Sequence, residues 1–111
     1  MPKRSKATKK ARRKFKHNRA DYETQEYRDW VKAVKERDQN RCQFPGCTRH
    51  RFGMEIHHIL RVHDHPELRY VVSNGICLCK ACHAKVTGQE SIYVLLFTTI
   101  VNQNTLKQLQ W

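Results

Sequence analysis

Two cysteine pairs and a group of histidines are the residues whose types and spacing could do chemistry. Cys42 and Cys47 enclose a Gln-Phe-Pro-Gly turn, and Cys79 and Cys82 form a Cys-x-x-Cys pair followed directly by His83. Two pairs that each close a tight turn are typical of a tetrahedral zinc site with thiolate ligands. The sequence therefore predicts a structural zinc ion held by Cys42, Cys47, Cys79 and Cys82.

The fifth cysteine, Cys77, precedes Cys79 by two residues on a predicted strand. That spacing corresponds to roughly 6–7 Å along the chain. Thiolates on one zinc ion lie within about 4 Å of each other, because each Zn–S bond is about 2.3 Å long. We therefore expect Cys77 to be a small buried apolar residue and not a ligand.

The histidines offer a second kind of chemistry. His57 and His58 are adjacent in an apolar segment, Asn74 follows in an Asn-Gly turn, and His83 comes directly after the second cysteine pair. A neutral imidazole can bind a metal ion, and it can also take a proton from water near neutral pH. Neighbouring residues of a strand project in diverging directions, so His57 and His58 could have different tasks if the strand ends or distorts there.

Hydrophobic periodicity and turn residues predict the elements that position these groups. A helix is expected at residues 24–38, with Thr24 as N-cap, and strands are expected at 53–59 and 76–79. A short helix follows at 80–87. The first helix has an apolar face of Tyr27, Trp30, Val31 and Val34, and core packing is the favoured role of Trp30 over stacking on a base.

The C-terminal segment is apolar again. Its spacing predicts a helix face made of Ile92, Leu95, Leu96, Thr99 and Ile100, followed by a docked turn with Leu106, Leu109 and Trp111. This face could cover the small core or form the interface of a homodimer, and the pattern leaves both alternatives open.

Composition divides the chain into two parts. It has 111 residues with 22 Lys and Arg against 10 Asp and Glu, a net charge of +12, and residues 1–20 carry +10 of it. We expect a disordered basic arm at 1–20 and one folded domain at 21–111. The arm predicts sequence-independent contacts to DNA phosphates through Lys3, Arg4, Lys6, Lys9, Lys10, Arg12, Arg13, Lys14, Lys16 and Arg19.

The cellular setting follows from the same data. No apolar run is long enough to span a membrane, and no apolar segment follows the basic N-terminus as in a secretory signal. An odd number of cysteines favours metal-bound thiolates over disulfides. We expect an intracellular protein of the cytoplasm of a bacterium or a phage-infected host.

Taken together, these motifs resemble the HNH endonucleases, of the ββα-metal or His-Me finger group. The resemblance is carried by Glu55-Ile56-His57-His58-Ile59, by Asn74-Gly75-Ile76 and by Cys79-Lys80-Ala81-Cys82-His83. Trp30, Arg37-Asp38 and residues 65–69 agree with it. It covers about residues 25–100 and implies an α+β fold, in which a small ββα-metal nuclease module stands on a structural zinc site and is flanked by helices.

The resemblance also implies roles for single residues. His58 would be the general base, His57 and His83 would bind one divalent ion (Mg²⁺, Mn²⁺ or Ni²⁺), and Asn74 would hold the loop that orients His58. Some relatives have a further ligand one helical turn after the last histidine, where this chain has Thr87, a poor ligand. The substrate would be double-stranded DNA, cut to leave 5′-phosphate and 3′-hydroxyl ends, by a nuclease of a phage or a mobile element such as a homing endonuclease.

Two other readings remain open from the residues. One is a non-catalytic zinc module that binds nucleic acid, in which His57 or His83 would be a zinc ligand beside three cysteines. The other is a nuclease fold that serves mainly in a packaging or host-takeover complex.

Overall fold

The computed structural model of the protein describes residues 24–110. Its first element is helix α1, Gln25–Arg37, which begins where the sequence predicts. The Thr24 side chain accepts a hydrogen bond from the backbone N–H of Tyr27 and so satisfies one of the unpaired donors of the first turn. Trp30 and Val34 are buried, which confirms the expected core role of Trp30.

The sheet has two antiparallel strands, β1 (Met54–His58) and β2 (Gly75–Cys79). In their register His57 lies opposite Ile76 and His58 opposite Gly75, so both histidines occupy the end of β1, as expected. Every residue of β2 is buried. A Cβ atom on Gly75 would lie 2.7 Å from the Trp30 ring, so the absence of a side chain allows α1 to pack directly on β2.

Two helices follow the sheet. Helix α2, Lys80–Val86, is capped by Cys79, and Gly88 follows it with a positive φ of 85°, as a residue after a helix end commonly has. Helix α3, Glu90–Leu109, is continuous over 20 residues. Strands β1 and β2 with helix α2 form a ββα unit, and α1 and α3 flank it. This is the predicted α+β fold with a ββα module.

Of the two uses left open for the predicted apolar face of α3, covering the core is not observed, although Ile100 is partly buried against it; a homodimer interface is not tested. The residues that enter the core are Phe97 and Val101, whereas Ile92, Leu95 and Leu96 are exposed. The expected docked turn is also wrong for its described residues, because Leu106 and Leu109 are exposed; Trp111 lies outside the described residues. The cause is that α3 is apolar on several sides, so its spacing does not fix which side turns inward. The stacking of Phe97 on Tyr93 and its edge contacts with Phe44 and His57 decide that.

A buried polar network joins the helices to the sheet. Arg37 pairs with the Asp38 carboxylate at 2.8 Å and donates to the carbonyl oxygen of Gly75. Asp38 also accepts from the backbone N–H of Cys77 and from the Asn104 side chain. The network connects α1, β2 and α3, and it leaves the buried charges of the pair compensated.

Among residues 24–110, no helix combines the length and the apolar character that a membrane span requires.

Candidate active site and metal centre

The predicted zinc ligands lie together. The Sγ atoms of Cys42, Cys47, Cys79 and Cys82 are all within 4.8 Å of one another, and those of Cys47 and Cys79 are 3.9 Å apart. In a tetrahedral site with Zn–S bonds of about 2.3 Å, sulfur atoms would be separated by about 3.8 Å. Three of the thiols are buried and Cys47 is half-buried. The four cysteines are therefore positioned to hold a metal ion, and thiolate donors suit zinc.

Local backbone structure brings each pair together. In the first pair, the N–H of Cys47 donates to the carbonyl oxygen of Phe44, and Gly46 takes the positive φ of 85° that this turn requires. In the second pair, Cys79 caps helix α2, and its Sγ accepts a hydrogen bond from the N–H of Cys82. Burial acts to raise the pKa of Cys79, but this N–H and three neighbouring thiols outweigh it and lower the pKa to about 7.

Cys77 lies outside this cluster. Its side chain is fully buried, and burial together with the Asp38 carboxylate raises its pKa to about 12. Its Sγ atom is not among the four that lie within 4.8 Å of one another. Cys77 is thus a buried core residue, as its spacing indicates.

The structure brings His57 of β1 beside His83 of α2. Their ring centroids are 5.4 Å apart, and His57 is buried. The Nε2 atom of His57 is buried and has no hydrogen-bond partner among the described residues. Burial, followed by the nearby His83, lowers the pKa of His57 to about 4. A neutral imidazole with an unsatisfied ring nitrogen beside a second imidazole suits a divalent cation.

Glu55 is a part of this site for which the sequence analysis assigned no role. Its carboxylate lies 2.6 Å from the Nδ1 atom of His83, which donates to it. With Nδ1 engaged in this way, the second ring nitrogen of His83 carries the lone pair that a metal ion needs. The sequence spacing could have indicated this role, because Glu55 and His57 are two residues apart on a strand and their side chains therefore share a face.

His58 points to the other side of β1. Its ring is stacked on the Trp30 ring at a centroid distance of 4.3 Å and an interplanar angle of 11°. Its Nε2 lies 2.8 Å from the carbonyl oxygen of Arg69. A carbonyl oxygen only accepts, so Nε2 carries the proton, and in the neutral ring the lone pair is on Nδ1. This contact sets the tautomer of His58.

Asn74 is buried and holds the loop that supplies this carbonyl group. Its side-chain oxygen accepts from the N–H of Leu60, and its amide donates to the carbonyl oxygens of Leu60 and Leu68. Leu68 precedes Arg69, whose carbonyl oxygen contacts His58. The geometry is that of a residue which fixes the loop beside the His58 ring.

The pair His57 and His83 and the separate His58 border one open cleft of about 1350 Å³. Glu55, His57, His58 and His83 line it, and residues of α1 form one wall. Thr87 also lines it, but its hydroxyl donates to the carbonyl oxygen of His83. The ten basic residues of the arm that were predicted to contact DNA lie outside the described residues.

Comparison with known proteins agrees with the resemblance. Residues 42–89 match the model of the HNH endonuclease family. The matched segment contains the four clustered cysteines together with His57, His58, Asn74 and His83. The HNH family implies nuclease activity in general, and its members use a divalent metal ion. Comparisons with characterised proteins and with solved structures gave no significant match.

Proposed function

We propose that the protein is a metal-dependent DNA endonuclease that hydrolyses phosphodiester bonds in double-stranded DNA. The observation that carries the proposal is the pair His57 and His83, with a buried unsatisfied nitrogen on His57, at the edge of a cleft that His58 also borders. In this proposal His57 and His83 would hold a single divalent ion, Mg²⁺, Mn²⁺ or Ni²⁺. Water and phosphate oxygens would complete its coordination.

His58 acts as the general base. The Nδ1 lone pair takes a proton from a water molecule as the water oxygen attacks phosphorus. The hydrogen bond from Nε2 to the carbonyl oxygen of Arg69 keeps this tautomer, and Asn74 keeps the loop in place. The bond between phosphorus and the 3′-oxygen then breaks, which leaves a 5′-phosphate and, after protonation, a 3′-hydroxyl.

A bound divalent ion supplies stabilisation of the negative charge that develops on the phosphate and on the departing oxygen. The chain's contribution is to keep His57 neutral through burial and to orient His83 through Glu55. A zinc ion in the cysteine cluster would have a different task. Four thiolates would leave no position for substrate, so that ion would be structural.

The basic arm, residues 1–20, is proposed as a separate DNA-binding segment before the nuclease domain at 21–111. Its ten Lys and Arg residues would contact phosphates without reading sequence. Each neutralised phosphate changes the slope of log K against log salt by about −0.9. Deletion of residues 2–19 should therefore weaken DNA binding and flatten the slope, while cleavage at low salt survives. An unchanged slope would show that the arm does not contact DNA.

The rival function is a non-catalytic zinc module that binds nucleic acid. In that case His57 or His83 would replace a cysteine at the zinc ion. The convergence of all four cysteines favours separate sites, because the thiols alone complete a tetrahedron. The deciding experiment is cleavage of a long DNA by protein that retains zinc, with and without added Mg²⁺ or Mn²⁺. Absence of cleavage under all ions would reject the nuclease.

A substitution at His83 also tests the alternative of a non-catalytic zinc module. His83→Ala should keep its zinc and its helical circular dichroism but should lose cleavage. A zinc-free, unfolded His83→Ala protein would show that His83 is a structural ligand, and the assignment of this residue to the catalytic ion would be wrong.

A homodimer through α3 and a phage or mobile-element setting complete the proposal. Ile92, Leu95 and Leu106 are exposed on α3, and residues 91–106 contain no charged side chain that would oppose association of two copies. Light scattering on the full chain and on Leu95→Lys would test the dimer.

The clustered thiols favour an intracellular, reducing compartment. A pull-down from infected cells would separate a free nuclease from a component of a packaging or host-takeover complex.

A further inference from the structure

One wall of the cleft is a basic row on helix α1. Arg28, Lys32 and Lys35 line the same cleft as His57 and His58. The three residues are spaced by four and three positions, so they lie on one side of the helix. The sequence alone assigned no role to this side of α1. The structure instead turns it toward the candidate active site.

We propose that this row is a docking surface for the sugar-phosphate backbone of the DNA strand that enters the cleft. The inference rests on the proposed nuclease function and adds the path of the substrate: along α1 toward the end of β1. It assigns Lys32 and Lys35 to substrate binding, which neither the resemblance to the family nor the cysteine and histidine motifs assign.

The dimensions of the row suit a nucleic-acid backbone. From residue 28 to residue 35 the helix rises about 10 Å. One strand of DNA places a phosphate about every 3.4 Å along the axis, so this length corresponds to about three phosphates. Lys32 is exposed and Lys35 is half-buried, and each carries its ammonium group at the end of a flexible side chain. Such groups bind phosphates as point charges without selecting bases.

The charges around the cleft are arranged unevenly. On α1 the acidic side chain that lines it is Glu36, and Arg61 adds a positive charge from the loop after β1. The other two acidic lining residues are at the histidine end. Glu55 accepts from His83, and Glu90 accepts from the N–H of Gly88. The α1 wall thus carries three basic residues against one acidic residue, whereas the histidine end carries two carboxylates, one of which, Glu90, has Arg61 nearby.

The alternative is that the lysines form an ordinary solvated helix face. Two cleft substitutions and one matched control separate the alternatives. Lys32→Gln and Lys35→Gln remove a charge from the cleft wall, and Lys107→Gln removes one from the exposed end of α3, outside the cleft. All three replace a helical lysine with another good helix former, so circular dichroism and melting should match the parent.

The first measurement is the affinity for a DNA duplex between 50 and 200 mM salt, with His58→Ala as the background so that no cleavage interferes. Each cleft lysine should lower the salt slope by about 0.9, and the double variant by about 1.8. The parent would then lose about 12-fold more affinity over this range than the double variant. Lys107→Gln should leave the slope unchanged.

The second measurement is steady-state cleavage in Mg²⁺ without the His58 substitution. The double variant should have a raised KM with kcat within a few-fold of the parent, because phosphate contacts along the wall are present before and during the reaction. Slopes and KM values equal to those of Lys107→Gln would overturn the proposed strand path while leaving the nuclease intact. A parent that never cleaves would instead reject the nuclease, and the binding slopes would still decide whether α1 contacts DNA.

Discussion

The cysteine cluster and the histidine pair are two candidate metal sites with opposite designs. The cluster has four thiols within 4.8 Å of one another, and three of them are buried. The histidine pair has two imidazoles beside an open cleft. A closed set of four donors is typical of a structural ion, whereas a partial set next to a cleft leaves positions for water and substrate. Donor number and access therefore separate the two tasks.

The two sites also share one element. Cys82 and His83 are consecutive residues of helix α2, and Cys79 caps that helix. A metal ion in the cysteine cluster would fix the start of α2 against the first cysteine turn, and that in turn would fix His83 relative to His57. Because the two sites share α2, damage to them should have unequal consequences. Damage to the cysteine cluster should destroy both sites, and damage to the histidine pair should leave the cluster intact.

The largest effect is expected at the cysteine cluster. Cys42→Ser or Cys82→Ser should release one zinc ion and unfold the domain, since structural zinc contributes on the order of 10–16 kcal/mol in small zinc peptides. A domain of this size is stable by only about 5–15 kcal/mol. Zinc content and thermal unfolding measure the effect. Cys77→Ala is the matched control, and it should keep its zinc; a folded, zinc-loaded Cys42→Ser protein would contradict the structural assignment.

The next effect is expected at His58. His58→Ala should reduce cleavage by about 10²–10⁴-fold, the usual contribution of a general base, and should keep the fold, the zinc and the DNA affinity. Initial rates of plasmid nicking or cutting in Mg²⁺ measure it. His50→Ala removes an exposed histidine outside the cleft and should cut like the parent. If His58→Ala also cuts within a few-fold of the parent, another group is the base.

A smaller effect concerns the pH dependence of stability. Burial and His83 lower the pKa of His57 from 6.5 to about 4, so the unfolded chain binds more protons than the folded chain between these pH values. Protein without a catalytic ion should therefore lose stability as pH falls through this window, by about 1–3 kcal/mol from this group. Chemical denaturation at pH 7.5 and pH 5, compared between the parent and His57→Gln, isolates the contribution. Equal losses in both proteins would show that His57 is not held neutral by the fold.

The smallest effect is expected at Glu55. Glu55→Gln removes the carboxylate that accepts from Nδ1 of His83, and such partners of a metal-binding histidine typically change metal affinity by about 10–100-fold. The Mg²⁺ or Mn²⁺ concentration for half-maximal cleavage should rise by that factor, with a near-parental rate at saturating ion. Glu67→Gln is the control, because Glu67 pairs with His65 at 3.4 Å at an exposed position. An unchanged ion requirement in Glu55→Gln would leave Glu55 without a role at the ion.

Local patterns in the sequence were enough for much of the fold. Thr24 begins α1 because a side-chain acceptor at that position satisfies a backbone donor of the first turn, and this depends only on neighbours in the chain. The strands, the start of α2 and the four-cysteine set follow in the same way from alternation, turn residues and ligand spacing. The roles of His57, His58, Asn74 and His83 came from the resemblance to a family, and they stay predictions.

Other features were decided only in three dimensions. The inward side of α3 depends on the aromatic contacts of Phe97, because a helix that is apolar on several sides has no single preferred phase. The contact of Glu55 with His83 joins residues of different elements, and so does the carbonyl group of Arg69 beside His58. The position of the basic side of α1 beside the histidines is also decided in three dimensions, because it depends on the packing of α1 on β2. Periodicity and spacing record what a residue shares with its neighbours in the chain, and a site made between elements depends on packing that those patterns do not contain.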